Sequence, residues 1–262
     1  MDLAPGRHAF ITGGASGIGL GIADALAERG LRVTLADIDD EELAKVLAER
    51  GKAYRGQHLD TRDRAGWARA KTEAEAAFGQ VDILVNNAGI APIGQEMIDE
   101  DPATFDLVIA INLTGVFNGV AAFAKDMRTR GSGHIVNTAS LAGLMFNAPG
   151  YGTYGVAKFG VVGMSEQLRM ELAPHGVDVS VLCPGYVPSN ILRNSIRLAG
   201  DVATAPDELP PVEISAREVG DIVADAIERN LPYIITHPNA WPVVESRNEG
   251  LREAFELAAQ LR

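Results

Sequence analysis

His8-Ala9-Phe10-Ile11-Thr12 runs directly into Gly13-Gly14-Ala15-Ser16-Gly17-Ile18-Gly19, and Ile18 to Arg29 then carries helical periodicity to a stop at Gly30. The first stretch is short and apolar throughout, which predicts a buried strand. The glycines after it allow positive φ and close backbone approach. The helix that follows offers free N–H groups and the positive end of its dipole to an anion such as a pyrophosphate. The pattern is Thr12-Gly13-x-x-x-Gly17-x-Gly19, not the GxGxxG spacing of the general dinucleotide fingerprint. A ligandless glycine turn has the same composition, but the strand before and the helix after favour a nucleotide site.

The same alternation continues outward. Leu31–Ala36, Ala53–Leu59, Val81–Val85, His134–Thr138, Val177–Leu182 and Tyr233–Thr236 read as strands. Glu41–Arg50, Asp63–Phe78, Phe105–Arg130, Tyr151–Leu172, Ala216–Arg229 and Val243–Leu261 read as helices, with a short helical pattern near Ile191–Leu198 inside an otherwise irregular Pro188–Pro211. Strand–helix alternation means parallel strands with right-handed crossovers. Strands apolar along their whole length are those buried on both faces. The expected fold is α/β, one doubly wound parallel sheet flanked by helices over residues 1–262. Its ligand should lie at the carboxyl ends of the strands, near the switch point between the first and the fourth.

The net charge of −12 argues against nucleic acid, which needs a basic footprint. One cysteine, Cys183, excludes an internal disulfide and fits a reducing compartment. No secretory leader is visible and no apolar run is expected to cross a membrane, so the expected location is the cytoplasm. His8, His58, His134, His175 and His237 show no metal-ligand spacing and read as structural; no metal site is expected. Phe105, Phe117, Val120 and Phe123 read as core or subunit contact, and Cys183 as a small buried apolar side chain.

Tyr154 and Lys158 stand four apart in a helical run and so share a face one turn apart. An ammonium beside a phenol favours the phenolate and should lower a pKa that is about 10 when unperturbed. That makes a proton donor and acceptor usable near neutral pH. Tyr151 lacks such a partner, since Gly155 stands four residues on. Asp37 ends the second strand, 18 residues past Gly19. A carboxylate there accepts bonds from ribose hydroxyls and repels a 2′-phosphate, and no Lys or Arg lies in the glycine loop or at Ile38 to receive one. Asp39 and Asp40 are better placed than Asp37 to cap the next helix. Asp60, ending the third strand, is open to two readings: a contact to adenine, with Thr61 beside it, or a cap for the helix near Asp63.

The glycine pattern, Asn86-Asn87-Ala88-Gly89, Asn112, Ser140, Tyr154-x-x-x-Lys158 and Pro184-Gly185 resemble, in order and spacing, the short-chain dehydrogenases/reductases of the single-domain Rossmann type. The resemblance covers about Arg7 to Ser189. It implies that Tyr154 is the acid/base exchanging a proton with the substrate oxygen, and that Ser140 holds that oxygen. It implies that Lys158 binds the nicotinamide ribose and lowers the Tyr154 pKa, and that Asn112 holds a water linking Lys158 to solvent. Gly13, Ser16, Gly17, Ile18 and Gly19 would cradle the pyrophosphate, and Asp37, Ile38, Asp60 and Thr61 the adenosine. Asn87, Ala88 and Gly89 would line the adenosine side, and Pro184, Gly185, Val187 and Ser189 the nicotinamide. Ser140 is preferred to Thr138 on the family pattern. Pro188 departs from that pattern and stiffens the entry to the substrate loop, about 186–215.

That loop offers Tyr186, Ile191, Leu192, Ile196 and Leu198, which with Leu144, Met145 and Phe146 predicts a roomy apolar pocket. Arg193 and Arg197 read as a solvated helix face. Ser189-Asn190-Ile191 and Tyr233-Ile234-Ile235-Thr236-His237-Pro238 are loosely similar to dehydrogenases that oxidise the benzylic Cα alcohol of lignin-type aryl ethers. The expected activity is NAD-dependent interconversion of a secondary alcohol and a ketone of a hydrophobic, aromatic-compatible small molecule. The alternatives are an NADPH-dependent carbonyl or 3-oxoacyl reductase, and a non-catalytic NAD-sensing protein on the same fold. The resemblance further implies a homodimer or homotetramer.

Overall fold

The computed structural model describes residues 1–91, 94–146, 149–199 and 212–261. Its strands are β1 (His8–Thr12), β2 (Arg32–Asp37), β3 (Tyr54–His58), β4 (Ile83–Asn86), β5 (Gly133–Thr138), β6 (Val177–Cys183) and β7 (Tyr233–Ile235). They form one parallel sheet in the order β3-β2-β1-β4-β5-β6-β7. The helices are α1 (Gly17–Glu28), α2 (Asp40–Ala48), α3 (Arg64–Phe78), α4 (Pro102–Ile109), α5 (Gly115–Arg130), α6 (Gly152–Leu172), α7 (Ile191–Ala199), α8 (Ala216–Glu228) and α9 (Trp241–Gln260). The strand order reverses between β1 and β4, which opens a crevice at their carboxyl ends.

β1 explains why the central strands read as unbroken apolar runs. Ala9 and Ile11 pack with α1 and α8 on one face, and Phe10 packs on the other against Trp67 of α3 and Phe123 of α5. Both faces of the strand are therefore interior, and alternation disappears. The edges differ from that expectation. β3, Tyr-Arg-Gly-Gln-His, is largely unburied, and β7 buries only its central residue, because each has a neighbour on one side only.

The long helical region begins at Pro102 and is broken at Ala110–Thr114 by a π turn that separates α4 from α5. By length and composition the continuous run Pro102–Arg130 is apolar enough to cross a bilayer, contrary to the sequence expectation. In this fold its apolar side is the inner wall of the protein: Val108, Val116, Val120, Phe123 and Met127 are buried against the sheet. Phe105 and Phe117 lie on its exposed side.

Candidate active site

The crevice is a cavity of about 570 Å³ running from the end of β2 to the start of α9. Its floor is tied at the switch point by Thr12. The Thr12 hydroxyl accepts the backbone N–H groups of Asn87 and Ala88 at 2.9 and 3.0 Å, and the Asn87 side chain donates to the Thr12 carbonyl at 3.1 Å. β1 and β4 thus end on a shared set of bonds that fixes the glycine loop against Asn86-Asn87-Ala88-Gly89.

At one end, Gly17 takes φ +52°, and a Cβ there would come within 2.5 Å of Ser189 Cβ. The loop after β6 therefore closes directly over the glycine turn. Ser16 precedes α1 without capping it through its side chain, leaving the first-turn amides open to an anion. Gly19 does not line the cavity. It lies underneath, where a Cβ would meet the Gly13 carbonyl oxygen at 2.2 Å, so it serves the packing of α1 against its own loop.

Asp37 reaches the cavity wall and caps no helix; Asp39 caps α2 by accepting from Glu42 N–H. The Asp37 carboxylate accepts from Ala15 N–H and Asp39 N–H, each at 3.1 Å. Burial raises its pKa, and those backbone bonds pull the other way. Asp60 lines the cavity held by Arg62 at 2.7 Å, while Asp63 caps α3, which separates the two readings left open for Asp60. Arg197 also lines the cavity, donating to Asp39 at 3.0 Å, and Arg193 approaches Glu42 at 3.7 Å. Both arginines stay exposed, as a solvated helix face requires, and their surface ion pairs link α7 to the start of α2.

At the other end, Tyr154 and Lys158 come off α6 one turn apart. Lys158 is buried, its ammonium donates to the Thr138 carbonyl at 2.9 Å, and it lies 5.5 Å from the Tyr154 ring centre. Burial pushes Lys158 down to about 8. Burial pushes the Tyr154 phenol up to about 12, with the Ser140 hydroxyl opposing the rise. The expected lowering of the phenol by the ammonium is therefore not the governing effect. Loss of water around the ring outweighs a charge whose donor is spent on the strand end.

Ser140 accepts from Ala142 N–H at 3.1 Å, and its own proton reaches only a long contact, 3.4 Å, to the Pro184 carbonyl. Its hydroxyl can turn to another oxygen. Thr138 instead faces Asn87 at 3.5 Å. Asn112 sits in the π turn, off the cavity wall, and both ends of its amide engage Ile90: Oδ1 accepts Ile90 N–H at 2.9 Å and Nδ2 donates to Ile90 carbonyl at 2.7 Å. The side chain expected to hold a water is first a lock on the loop after β4. Apart from Asn112 and Gly19, the sequence-predicted site residues all line this one cavity.

The apolar wall includes Met145, Phe146, Tyr186, Ile191 and Leu198. Ile196 points outward, and Leu144 packs beneath with Val161 and Val162. Residues 200–211 of the expected substrate loop, and the Leu192 side chain, lie outside the described residues. α7 is roofed onto the site by Ser195, whose buried hydroxyl accepts Ala91 N–H at 2.8 Å. The sequence reading missed the wall formed by His237, Asn239, Ala240 and Val243. A histidine without ligand spacing gave no signal. Cys183 is buried, as expected, and its thiol is pushed up to about 12.

A cradle of glycines at a helix N-terminus, with a carboxylate at the end of β2, fits a nicotinamide dinucleotide. The comparisons agree. A family model described as short chain dehydrogenase matches residues 7–197. The 3-alpha-(or 20-beta)-hydroxysteroid dehydrogenase of Mycobacterium tuberculosis is 36% identical over 218 residues, covering 80% of each chain. The C alpha-dehydrogenase of a Sphingobium species is 33% identical over 267 residues, covering 95% of this chain and 84% of that one. The crystal structure of a short chain dehydrogenase/reductase from Burkholderia phymatum in complex with NAD superposes with a TM-score of 0.87, at 31% identity and 97% coverage of both chains. The chain therefore belongs to the short-chain dehydrogenase family, oxidoreductases that act on CH–OH groups with a nicotinamide dinucleotide.

Proposed function

We propose that this protein interconverts a secondary alcohol and its ketone on a hydrophobic, aromatic-compatible molecule, with NAD rather than NADP as partner. One observation carries the reading: Tyr154, Lys158 and the available Ser140 hydroxyl meet at one end of an apolar cavity whose other end is the Asp37 carboxylate. Relatives named for a hydroxysteroid and for a Cα position support a bulky secondary alcohol, and the apolar wall of Met145, Phe146, Tyr186, Ile191 and Leu198 supports a hydrophobic one.

Gly13, Ser16, Gly17 and Ile18 would hold the pyrophosphate on the α1 amides, and Asp37 the adenosine ribose. Bound nicotinamide supplies a hydride acceptor or donor. The protein supplies orientation and the proton path. Ser140 Oγ donates to the substrate oxygen. Tyr154 Oη accepts the alcohol proton in oxidation and returns it in reduction. Below about pH 8 Lys158 holds a positive charge beside that exchange, and its bond to Thr138 fixes where the charge sits.

NAD is favoured because a buried carboxylate at Asp37 opposes a 2′-phosphate, while the nearby cations Arg62 and Arg197 are already paired with Asp60 and Asp39. α9 buries none of its residues within the chain and exposes Leu251, Phe255 and Leu257, which supports a homodimer or homotetramer that covers it.

The test is titration calorimetry with NAD(H) and NADP(H), followed by aryl and alkyl secondary alcohols with wild type and Tyr154→Phe. The expected result is NAD(H) bound at least tenfold tighter, and turnover that falls by orders of magnitude in Tyr154→Phe with cofactor binding kept. Preference for NADP(H) moves the carbonyl-reductase reading to first place. NAD binding without turnover of any alcohol revives the non-catalytic reading.

A further inference from the structure

His237 occupies an unusual position. It is 7% exposed, it lines the cavity, and it follows β7, beyond the residues 7–197 that the family model matches. Its Nδ1 accepts Gly185 N–H at 3.1 Å, and the Thr236 hydroxyl reaches the same nitrogen at 2.7 Å. A backbone N–H can only donate, so Nδ1 must carry the lone pair. In the neutral ring the proton is then on Nε2. That Nε2 is buried and has no partner among the described residues.

The ring is also held in place. A Cβ on Gly185 would meet His237 Cγ at 2.8 Å, so the imidazole lies flat against the backbone at this glycine. Gly185 follows Pro184, whose carbonyl receives the long Ser140 contact. His237 is therefore fixed, through two residues, to the element that carries the expected substrate-oxygen donor. The polar neighbour Asn239 is already engaged, donating to both carboxylate oxygens of Glu213 at 3.1 and 3.2 Å.

We infer that His237 is a specificity residue whose Nε2–H donates to a second, hydrogen-bond-accepting oxygen of the substrate, distinct from the oxygen that is oxidised or reduced. A buried donor aimed by two fixed bonds and left without an acceptor selects for a ligand that brings one. The substrate class narrows to secondary alcohols or ketones that carry an ether, carbonyl or further hydroxyl oxygen within reach of the far wall. This rests on the dehydrogenase reading above.

The test uses pairs of aryl secondary alcohols in which an ether oxygen, placed at successive positions from the carbinol, is replaced by a methylene. Two variants separate the roles of the ring. His237→Asn keeps an acceptor near Gly185 N–H and lacks the distal donor; His237→Gln keeps a distal donor and gives up that acceptor. Wild type is expected to prefer the oxygen member of at least one pair by about tenfold or more in kcat/KM. His237→Asn is expected to lose that preference through the oxygen member alone, with KM for NAD unchanged, and His237→Gln to retain part of it. ¹⁵N spectra of the imidazole should report the Nε2–H tautomer and shift when the ketone of the preferred pair binds. If no pair is discriminated, or if His237→Asn discriminates as wild type does, the inference fails while the dehydrogenase reading stands. If no alcohol in any pair is oxidised but the ketones still bind without shifting the Nε2 signal, both fail.

Discussion

Lys158 Nζ donates to the carbonyl of Thr138, the last residue of β5, at 2.9 Å. The strand's end thus holds the ammonium one turn beyond Tyr154, in a place from which water is excluded. That burial brings the lysine down from 10.5 to about 8, a cost of roughly 3 kcal/mol to the charged form at neutral pH. Lys158→Met removes this penalty and forfeits a charged hydrogen bond worth about 1.5–3 kcal/mol, so the two nearly offset. Calorimetry at pH 7 should show a Tm within a few degrees of wild type, while turnover should be lost.

The same lysine sets a pH dependence of stability. Its folded pKa lies below its unfolded one, so between about 8 and 10.5 the unfolded chain binds the proton that the folded chain has released. Stability contributed by this site therefore rises with pH across that window. Urea titrations at pH 7.5 and 9.5 should show a smaller gain in Lys158→Met than in wild type. Oxidation should also quicken toward alkaline pH, because Tyr154 begins at about 12 and must be unprotonated to take the alcohol proton.

Asp37→Ala should reverse or flatten the cofactor preference. It removes the carboxylate facing the ribose position and releases Ala15 N–H and Asp39 N–H from their acceptor. NAD(H) affinity should fall at least tenfold, while NADP(H) affinity should hold or rise. Calorimetric titration reads both, and an unchanged ratio would remove Asp37 from cofactor selection.

Gly19→Ala should damage the site without touching the cavity. The added methyl would lie 2.2 Å from the Gly13 carbonyl and 2.6 Å from Asn87 Nδ2, both held by the switch-point bonds. Overpacking of this kind costs about 1–3 kcal/mol. Lower Tm and at least tenfold weaker NAD(H) binding are expected together.

Asn112→Ala should act through the loop after β4. It strips Ile90 of both backbone partners, and each unpaired buried group costs about 1–3 kcal/mol. Tm should drop by about 2–4 °C per kcal/mol lost in a chain of this size. Turnover should fall as well, since Gly89, wedged between Asn112 and Lys158, loses its support.

The sequence by itself determined the sheet, its handedness and the place of the crevice. Apolar strands of about five residues, each followed by a helix, leave few ways to bury both faces, and the glycine turn after β1 marks the end that stays open. It also placed Tyr154 and Lys158 on one helix face by their spacing, while the rest of the chemical set, Ser140 and Asn112, was legible only through the motif resemblance. The tertiary structure decided everything that depends on residues distant in the chain. The phenol rises where a neighbouring ammonium would lower it, because burial is set by the surrounding elements and not by the four-residue spacing. Asn112 is spent on Ile90 because a π turn, invisible in composition, rotates it there. Arg197 meets Asp39, and His237 meets Gly185, across 158 and 52 residues of chain. Hydrogen bonds at such separation leave no periodic trace in the sequence, and only the packing of β6, β7 and α7 over the crevice brings those groups within 3.1 Å of each other.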